Sequence, residues 1–247
     1  MKYYIQLGAG AGDLDPLAKC RDGFSEHIKQ LNNLDDSKIV VVEANPENIG
    51  VLTQSWSNHH NVLIVNKGIR TNDSDITILD FYYATEDAPH YQVFSLVKEH
   101  VLKHYPNGTI QTKKIETITI NELLEETDGH VIELLCIDVE GIDAEIIRDI
   151  DLKKYSPQSI SIEWLHLGNK FNKVHNKLLA NSYILTGYGI DHNKFDLMYE
   201  KIQLSNSLPK LLKMILFGVP LYFRVITKNK RNNLRKFLRH KIAKYLK

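Results

Sequence analysis

The chain has 247 residues, of which 43% are hydrophobic and 25% are charged, a composition typical of a globular protein with one large domain and at most an appendage. Cys20 and Cys136 are too few and too far apart for a disulfide framework or a zinc ribbon, so we expect a reducing compartment. Because Met1 and Lys2 lead directly into a candidate strand, we expect no secretory leader and a cytoplasmic location.

Charge is unevenly distributed along the chain. The net charge is only +1, but residues 205–247 contain 12 Lys or Arg and no Asp or Glu. Residues 1–204 therefore hold 19 basic and 30 acidic residues. This difference predicts an acidic globular domain over 1–204 and a basic C-terminal tail over 205–247.

Apolar runs typical of buried strands alternate with helical stretches. The predicted strands cover residues 3–7, 38–44, 61–69, 131–141 and 159–167. The predicted helices are one that ends near Leu34, one over 46–56 with Pro46 in its first turn, and one over 143–150. Residues 75–120 have β-rich character, and residues 183–189 and 195–201 could pair as a terminal hairpin.

This alternation of strands and helices predicts the fold class. Strands made almost entirely of Val, Ile and Leu are typical of a mostly parallel sheet that is covered by helices on both faces. We therefore predict an α/β fold. Such sheets bind ligands beyond the carboxyl ends of their strands, so the candidate site residues are those that directly follow each strand.

Glycines and an acid follow the first two predicted strands. At Gly8, Gly10 and Gly12 the missing side chains would let the backbone approach a ligand. A dinucleotide fingerprint would need glycine at the position of Asp13, and a phosphate-binding loop would need Lys followed by Ser or Thr. Glu43 could accept the hydroxyls of a ribose. An adenosine ligand without a pyrophosphate fits this pattern; a structural turn and a solvated carboxylate are the alternatives.

Longer motifs point to a family. The stretches "IQLGAGAGDLDPL", "VVEANPENIGVL", "NVLIVNKGI", "LLCIDVEGIDAEIIRDIDLKKYSPQSISIEWLHL" and "YILTGYG" occur in this order. From about Tyr3 to about Lys201 the chain resembles the FkbM family of S-adenosylmethionine (SAM)-dependent O-methyltransferases. The most specific part is "IDVEGIDAEII" followed by "SPQSISIEWLHL". Gln6 stands where many SAM enzymes have an acid, which leaves Asp13 or Asp138 to meet the amino-acid end of the cofactor.

The resemblance implies a Rossmann-like class I methyltransferase fold, with a mostly parallel seven-stranded sheet between helices. It also implies that the glycines pass under the methionine part of SAM, that Glu43 binds the ribose, and that residues 66–68 border the adenine. The predicted cofactor-binding residues are Gln6, Gly8, Ala9, Gly10, Gly12, Asp13, Glu43, Ala44, Asn45, Asn66, Lys67, Gly68 and Asp138.

Acids and a histidine follow the fourth and fifth core strands and are candidates for catalysis. The predicted catalytic residues are Asp138, His166 and Glu163. The pKa of an unperturbed histidine suits His166 to accept a proton from a hydroxyl, and Glu163 could orient its ring or share that task. In the alternative interpretation, His166 packs beside Trp164 and Glu140 caps the helix that begins near Gly141.

The same residues are candidate metal ligands. Asp138, Glu163 and His166, together with Glu140, could hold a divalent cation such as Mg²⁺, which would polarise the acceptor hydroxyl. The other histidines are interpreted as surface residues without ligand spacing; they include His59, His60, His90, His100, His104, His175 and His192. Aromatic residues in 75–115, among them Tyr82, Tyr83, Tyr91 and Tyr105, could stack on a sugar or form a plain hydrophobic insertion.

The basic tail continues beyond the resemblance. Toward its C-terminal end, a single helical face is apolar, with basic residues at its edges and opposite; the apolar residues are Leu234, Phe237, Leu238, Ile242, Tyr245 and Leu246. The apolar run 214–223 is too short to span a bilayer. A basic amphipathic segment is typical of an anionic membrane surface. Nucleic-acid binding and a partner or oligomer helix are alternatives, but no RNA-binding motif accompanies the charge, so we expect no nucleic-acid partner.

These observations predict a SAM-dependent O-methyltransferase at the inner face of the cell membrane. Its expected acceptor is a sugar hydroxyl in a cell-surface polysaccharide or in the lipid-linked precursor, and a homo-oligomer is compatible with the sequence. The alternative acceptor is a small natural product. Two further classes remain open at this stage: an NAD-dependent Rossmann oxidoreductase and a non-catalytic SAM-fold module that binds a partner.

Overall fold

The fold is built on two β-sheets. It is seen in a computed structural model that describes residues 1–14, 22–32, 34–87, 93–191, 194–203 and 207–245. The strands of the main sheet are β1 (Lys2–Leu7), β2 (Ser37–Val42), β3 (Val62–Val65), β7 (Val131–Ile137), β8 (Ser159–Glu163), β9 (Tyr183–Tyr188) and β10 (Asp196–Lys201). The strands of the small sheet are β4 (Gly68–Arg70), β5 (Ile78–Ala84) and β6 (Ile110–Thr119).

The main sheet has the strand order β3-β2-β1-β7-β8-β10-β9. Only β10 runs antiparallel to its neighbours, and it pairs with β9 as the predicted hairpin. The predicted α/β fold with a mostly parallel seven-stranded sheet is confirmed. Because the chain leaves β1 toward β2 on one side and returns to β7 on the other, a crevice opens at the carboxyl ends of these strands.

Helices cover both faces of the main sheet. The helices are α1 (Gly23–Lys29), α2 (Ile49–Ser55), α3 (Lys98–His104), α4 (Ile120–Glu125), α5 (Asp143–Asp149), α6 (Phe171–Ala180), α7 (Ser207–Lys213) and α8 (Val219–Tyr245). Of these, α3 packs against the small sheet, where Val101 is buried with Ala84. Successive side chains of a strand point to opposite faces. Accordingly Val40 and Val42 pack in a core with residues of α4, α5 and α6, whereas Ile39 and Val41 pack with residues of α1 and α2.

Three predicted strands extend well beyond the observed ones, and the strand predicted over 131–141 ends at Ile137. The single strand predicted over 61–69 is wrong, because β3 ends at Val65 and Gly68 begins β4 in the other sheet. A Cβ at Gly68 would lie 2.2 Å from the Phe81 ring, so glycine permits the chain to cross between the sheets at this point. The strand predicted over 159–167 ends at Glu163, which leaves His166 in the following turn.

The C-terminal helical segment packs on the domain. Leu221 and Val225 of α8 are buried in the main core, and the ring centroids of Tyr222 and His175 are 4.5 Å apart. A π-helical turn over Met214–Gly218 separates α7 from α8. Pro220 follows it and has no N–H to donate to the preceding turn, which explains the irregularity. Among the residues that the structure describes, no helix combines the length and the hydropathy needed to cross a bilayer.

The surroundings of Gly218 in this segment and of Gly50 in α2 predict opposite effects for substitution by alanine. A Cβ at Gly218 would lie 1.8 Å from the carbonyl oxygen of Leu185, so Gly218→Ala should lower the free energy of unfolding by about 1–3 kcal/mol. At Gly50, an exposed position within α2, a Cβ would meet no described atom within 4 Å. Gly50→Ala should therefore raise the free energy of unfolding by about 0.5–1 kcal/mol. Urea denaturation measures both, and an unchanged Gly218→Ala variant would contradict the docking of this segment.

Candidate functional site

A cavity of about 400 Å³ lies at the carboxyl ends of β1, β2 and β7. Its size is within the range of pockets that bind small molecules. The main-sheet side of the cavity is lined by Gly8, Gly10, Glu43, Ala44, Asp138 and Glu140. The opposite side is apolar and is formed by Ile69, Phe81, Phe94 and Leu96, which come from the small sheet and the segment that leads into α3. The cavity thus has one polar wall and one apolar wall.

The three glycines after β1 have different structural roles. All have positive φ angles, of 80°, 53° and 67° for Gly8, Gly10 and Gly12. A Cβ at Gly8 would lie 1.7 Å from the carbonyl oxygen of Asp138, and a Cβ at Gly12 would lie 2.7 Å from Oγ of Ser55. At Gly10 it would meet no described atom within 4 Å and would project into open space. Gly8 and Gly12 therefore permit close packing, whereas Gly10 leaves room for a ligand.

Glu43 holds the glycine loop against the end of β2. Its Oε2 accepts a hydrogen bond from the Gly10 N–H at 2.7 Å, and its Oε1 accepts one from the Asn45 N–H at 2.7 Å. The Asn48 side chain donates to the same Oε1 at 3.3 Å. Burial raises the pKa of Glu43, although these N–H groups favour its charged form. The carboxylate is buried at the wall of the cavity with both oxygens oriented by backbone groups.

Asp138 and Glu163 are buried carboxyl groups at the ends of β7 and β8. Burial raises the pKa of both groups, and each is also close to other carboxylates. Oδ1 of Asp138 and Oε2 of Glu163 accept no hydrogen bond from the described residues. Asp138 lines the cavity, whereas Glu163 does not. Of the two, Asp138 is therefore the buried carboxyl group at the cavity wall, and its Oδ1 has no partner among the described residues.

Several predicted cofactor-binding residues line the cavity and others do not. Those that line it are Gly8, Gly10, Glu43, Ala44, Lys67 and Asp138. Gln6 donates instead to Asp22 at 2.9 Å, and Asn66 donates to the backbone oxygen of Glu43 at 2.9 Å. Ala9 and Asn45 are buried within the protein. The roles of all these residues remain predictions.

Asp13 also lies outside the cavity lining and is engaged with other protein groups. Its carboxylate accepts hydrogen bonds from Lys29 Nζ at 2.8 Å and from the Ser55 hydroxyl. Burial alone would raise the pKa of Asp13, but Lys29 and Ser55 hold it below its ordinary value. The geometry assigns Asp13 to the packing of the glycine loop against α1 and α2.

The histidines around Glu140 differ from the sequence interpretation. The sequence pattern places His100 at the surface, but it is only 2% exposed, and its Nε2 lies 2.6 Å from Oε2 of Glu140. His104 and His166 lie beside it, with ring centroids 5.0 and 4.5 Å from that of His100. Burial lowers the pKa of His104, and burial and the neighbouring His100 lower that of His166 to about 4. The His-x₃-His spacing in "KEHVLKH" is a helical ligand spacing that could have revealed this cluster.

Other interpretations of the candidate site are also corrected. Glu140 does not cap α5; the Asp143 carboxylate accepts the N–H groups of Val139 and Gly141 at 2.9 and 3.2 Å. His175 is not a free surface residue, because its Nδ1 lies 2.9 Å from the Tyr199 hydroxyl. His90, Tyr91 and His192 lie outside the described residues. The apolar wall of Phe81, Phe94 and Leu96 was not predicted, since no local pattern distinguishes it from ordinary core.

One family model matches the chain. Its description is a methyltransferase FkbM domain, and it matches residues 8–185. This range begins at the first glycine and ends within β9, and it contains every residue that lines the cavity. Curated proteins include no significant relative of the chain.

Solved structures show only distant similarity. A fibrillarin pre-rRNA processing protein of Methanococcus jannaschii is 13% identical, with a TM-score of 0.39; the match covers 80% of this chain and 64% of that one. An Aeropyrum pernix fibrillarin with bound S-adenosyl-L-methionine is 9% identical, with a TM-score of 0.40; the match covers 81% of this chain and 66% of the fibrillarin. A precorrin-6y C5,15-methyltransferase of Geobacter metallireducens is 13% identical, with a TM-score of 0.39; the match covers 81% of this chain and 80% of the methyltransferase. The chain thus spans less than two thirds of both fibrillarins, and the family assignment rests on the FkbM match.

The contacts of Asp13 predict a pH-dependent contribution to stability. Asp13→Asn should lower the free energy of unfolding at pH 7 by about 1–2 kcal/mol, because the carboxylate loses its charged partner Lys29. The pKa is lower in the folded state, so this stabilisation is present above the unfolded pKa of about 3.9 and is lost as the pH falls through the folded value. Denaturation of both proteins between pH 7 and pH 3 measures it; a difference that does not shrink toward pH 3 would contradict this assignment.

Proposed function

This chain belongs to the FkbM methyltransferase family, and on that premise we propose that it transfers a methyl group from SAM to a hydroxyl of a sugar. The acceptor belongs to a cell-surface polysaccharide or to its lipid-linked precursor. The family match supports methyl transfer and SAM as the donor. The choice of a sugar hydroxyl rests on the resemblance of the sequence motifs and on the properties of the C-terminal segment.

The residues of the cavity fit SAM. Glu43 is fixed where it can accept the two ribose hydroxyls, and Gly10 leaves open the space beside it. Gly8 and Gly10 would lie against the methionine part, and Lys67 would border the adenine. The carboxyl groups of Glu43 and Asp138 at the cavity wall suit a donor with a positively charged sulfur. The Glu43–Gly10 hydrogen bond beside open space is the observation that carries this aspect of the proposal.

The chain's own residues would align the acceptor and remove its proton. SAM, when bound, supplies an electrophilic methyl group, and holding the hydroxyl in line with it can provide much of the acceleration. Asp138 lines the cavity at the end of β7, and its carboxylate is the group that would accept the hydroxyl proton. Phe81, Phe94 and Leu96 cover the opposite side and would exclude water from the reacting groups.

The cofactor assignment predicts the effect of Glu43→Gln on binding of S-adenosylhomocysteine. Both carboxylate oxygens of Glu43 accept backbone N–H groups, but a glutamine has only one oxygen and would direct an NH₂ group at a donor. We expect affinity to fall about ten- to a hundredfold, the equivalent of about 1–3 kcal/mol. Isothermal titration calorimetry measures it, with NAD as a parallel ligand.

The matched control is Glu47→Gln. Glu47 lies four residues further along and is exposed, and it forms an ion pair with Lys113 at 2.7 Å. Its substitution should leave the affinity unchanged, since exposed ion pairs contribute little. Equal binding by the two variants, or binding of NAD in place of S-adenosylhomocysteine, would show that the cofactor assignment is wrong.

We also propose that the C-terminal segment brings the enzyme to an anionic membrane surface. Seven large apolar residues between 208 and 223 are exposed: Leu208, Leu212, Ile215, Leu216, Phe217, Val219 and Phe223. Residues 205–247, which include this stretch, contain 12 basic residues and no acidic ones. Exposed apolar side chains beside basic residues favour binding to anionic lipids. The face predicted over 234–246 lies largely outside the described side chains, so the support comes from the preceding turns.

Membrane binding and acceptor choice can be tested in one experiment. Phe217→Ser combined with Phe223→Ser should reduce binding to anionic vesicles at least about tenfold, because two exposed phenylalanines lose their apolar contact with lipid. Methyl transfer to a lipid-linked sugar in those vesicles should fall in parallel, while transfer to a water-soluble sugar acceptor should not change. Ile76→Ser is the control, since Ile76 is 61% exposed and Phe217 is 60% exposed. Unchanged vesicle binding by the double variant would contradict the membrane proposal.

A further inference from the structure

Four potential metal ligands converge beside the cavity. His100 and His104 lie one turn apart on α3, Glu140 follows β7, and His166 follows β8. One ligand atom from each side chain lies within 4.8 Å of the ligand atoms of the other three. Three separate regions of the chain therefore bring three imidazoles and a carboxylate to one point.

The backbone around Glu140 is shaped to present its carboxylate. Glu140 has a φ of 55°, which is uncommon for a residue other than glycine, and Gly141 follows with a φ of 114°. A Cβ at Gly141 would lie 3.2 Å from the His100 ring, so glycine lets the buried imidazole approach. The Ser95 hydroxyl donates to the backbone oxygen of Glu140 at 2.6 Å and holds this turn in place.

Hydrogen bonds to other described residues engage only some of these four side chains. His100 has a close polar partner in Glu140, but neither His104 nor His166 makes a hydrogen bond to another described residue. His166 Nε2 lies 3.5 Å from Glu163, beyond a good hydrogen bond. A bound cation would give all four side chains a common partner.

We propose that His100, His104, His166 and Glu140 bind one divalent transition-metal ion of the Zn²⁺ type. Imidazole nitrogen with one carboxylate oxygen is a ligand set that Zn²⁺ accepts, whereas Mg²⁺ requires mainly oxygen ligands. Tetrahedral Zn²⁺ with bonds of about 2.0–2.1 Å places its ligand atoms about 3.3 Å apart. The ligand atoms of the cluster lie within 4.8 Å of one another, so side-chain adjustment would bring them to that spacing.

This ligand set differs from the one that the sequence suggested. Of the four ligands that the sequence suggested, Glu140 and His166 belong to the cluster, whereas Asp138 and Glu163 do not. With four protein ligands the coordination is closed, which is typical of a structural site. The ion joins α3 to the turns after β7 and β8 and fixes the segment 93–104, which carries Phe94 and Leu96 of the apolar wall. Metal binding does not depend on the identity of the methyl donor.

The test is zinc binding by the full-length, untagged protein after treatment with a chelator and dialysis. We expect calorimetry and elemental analysis to give about one Zn²⁺ per chain, with no comparable binding of Mg²⁺. His104→Ala and His166→Ala should each weaken Zn²⁺ binding at least about tenfold. His60→Ala removes an exposed histidine outside the cluster and should bind zinc like the parent protein.

Hydrogen exchange gives a second readout that needs no enzymatic activity. Zn²⁺ should slow amide exchange in residues 93–104 of the parent protein and of His60→Ala, but not in His166→Ala. Circular dichroism identifies any variant that fails to fold, and the exposed His104 provides a second substitution for that case. Absence of zinc binding, or equal zinc binding in the parent, His104→Ala and His166→Ala, would overturn the proposal. Neither result would affect the assignment of SAM, which is measured separately.

Discussion

The close approach of the Gly8 backbone to the Asp138 carbonyl group determines the shape of the site. Any side chain at position 8 would meet that oxygen, so only glycine lets the ends of β1 and β7 converge. The Asp138 N–H donates to the Leu7 oxygen at 3.1 Å and continues the strand pairing up to this point. Once the two strand ends are fixed, Gly10 and Asp138 lie on the same cavity wall, and Glu43 reaches the loop from β2.

Carboxyl groups at and near the polar wall fall into two kinds: one is held rigidly by hydrogen bonds, and the others have oxygens without hydrogen-bond partners among the described residues. Glu43 is held by backbone N–H groups, whereas Asp138 and Glu163 are buried near other acids and have oxygens without described partners. Burial of a carboxylate is costly unless a donor or cation compensates it. The raised pKa values of these groups reflect that cost, and a positively charged ligand or a hydrogen-bond donor in the cavity would lower it.

The sequence predicted the parallel core well because its signals are local. Apolar runs such as "KIVVV" and "ELLCI" are typical of strands that helices cover on both faces. In a parallel sheet, the residues that follow such strands lie at the crevice where ligands bind. Local signals indicate the small sheet and the histidine cluster only in part, through the β-rich character of residues 75–120 and the helical spacing of His100 and His104. The rest depends on contacts between residues far apart in the chain, as with Phe81 against Gly68 and His100 against Glu140. The contact of Asp13 could not be predicted either, because its position in the glycine motif does not reveal that Lys29 binds its carboxylate.

The two walls of the cavity also differ in how freely they can change during evolution. The main-sheet wall depends on backbone contacts at Gly8 and on a carboxylate bound by backbone N–H groups, so few substitutions preserve it. The apolar wall consists of side chains from a segment outside the parallel core, and Phe81, Phe94 or Leu96 can be exchanged for other apolar residues with modest cost. Divergence at these three positions would change the shape of the cavity while the glycine loop and Glu43 stay intact, so one fold can accommodate different ligands in the same cavity.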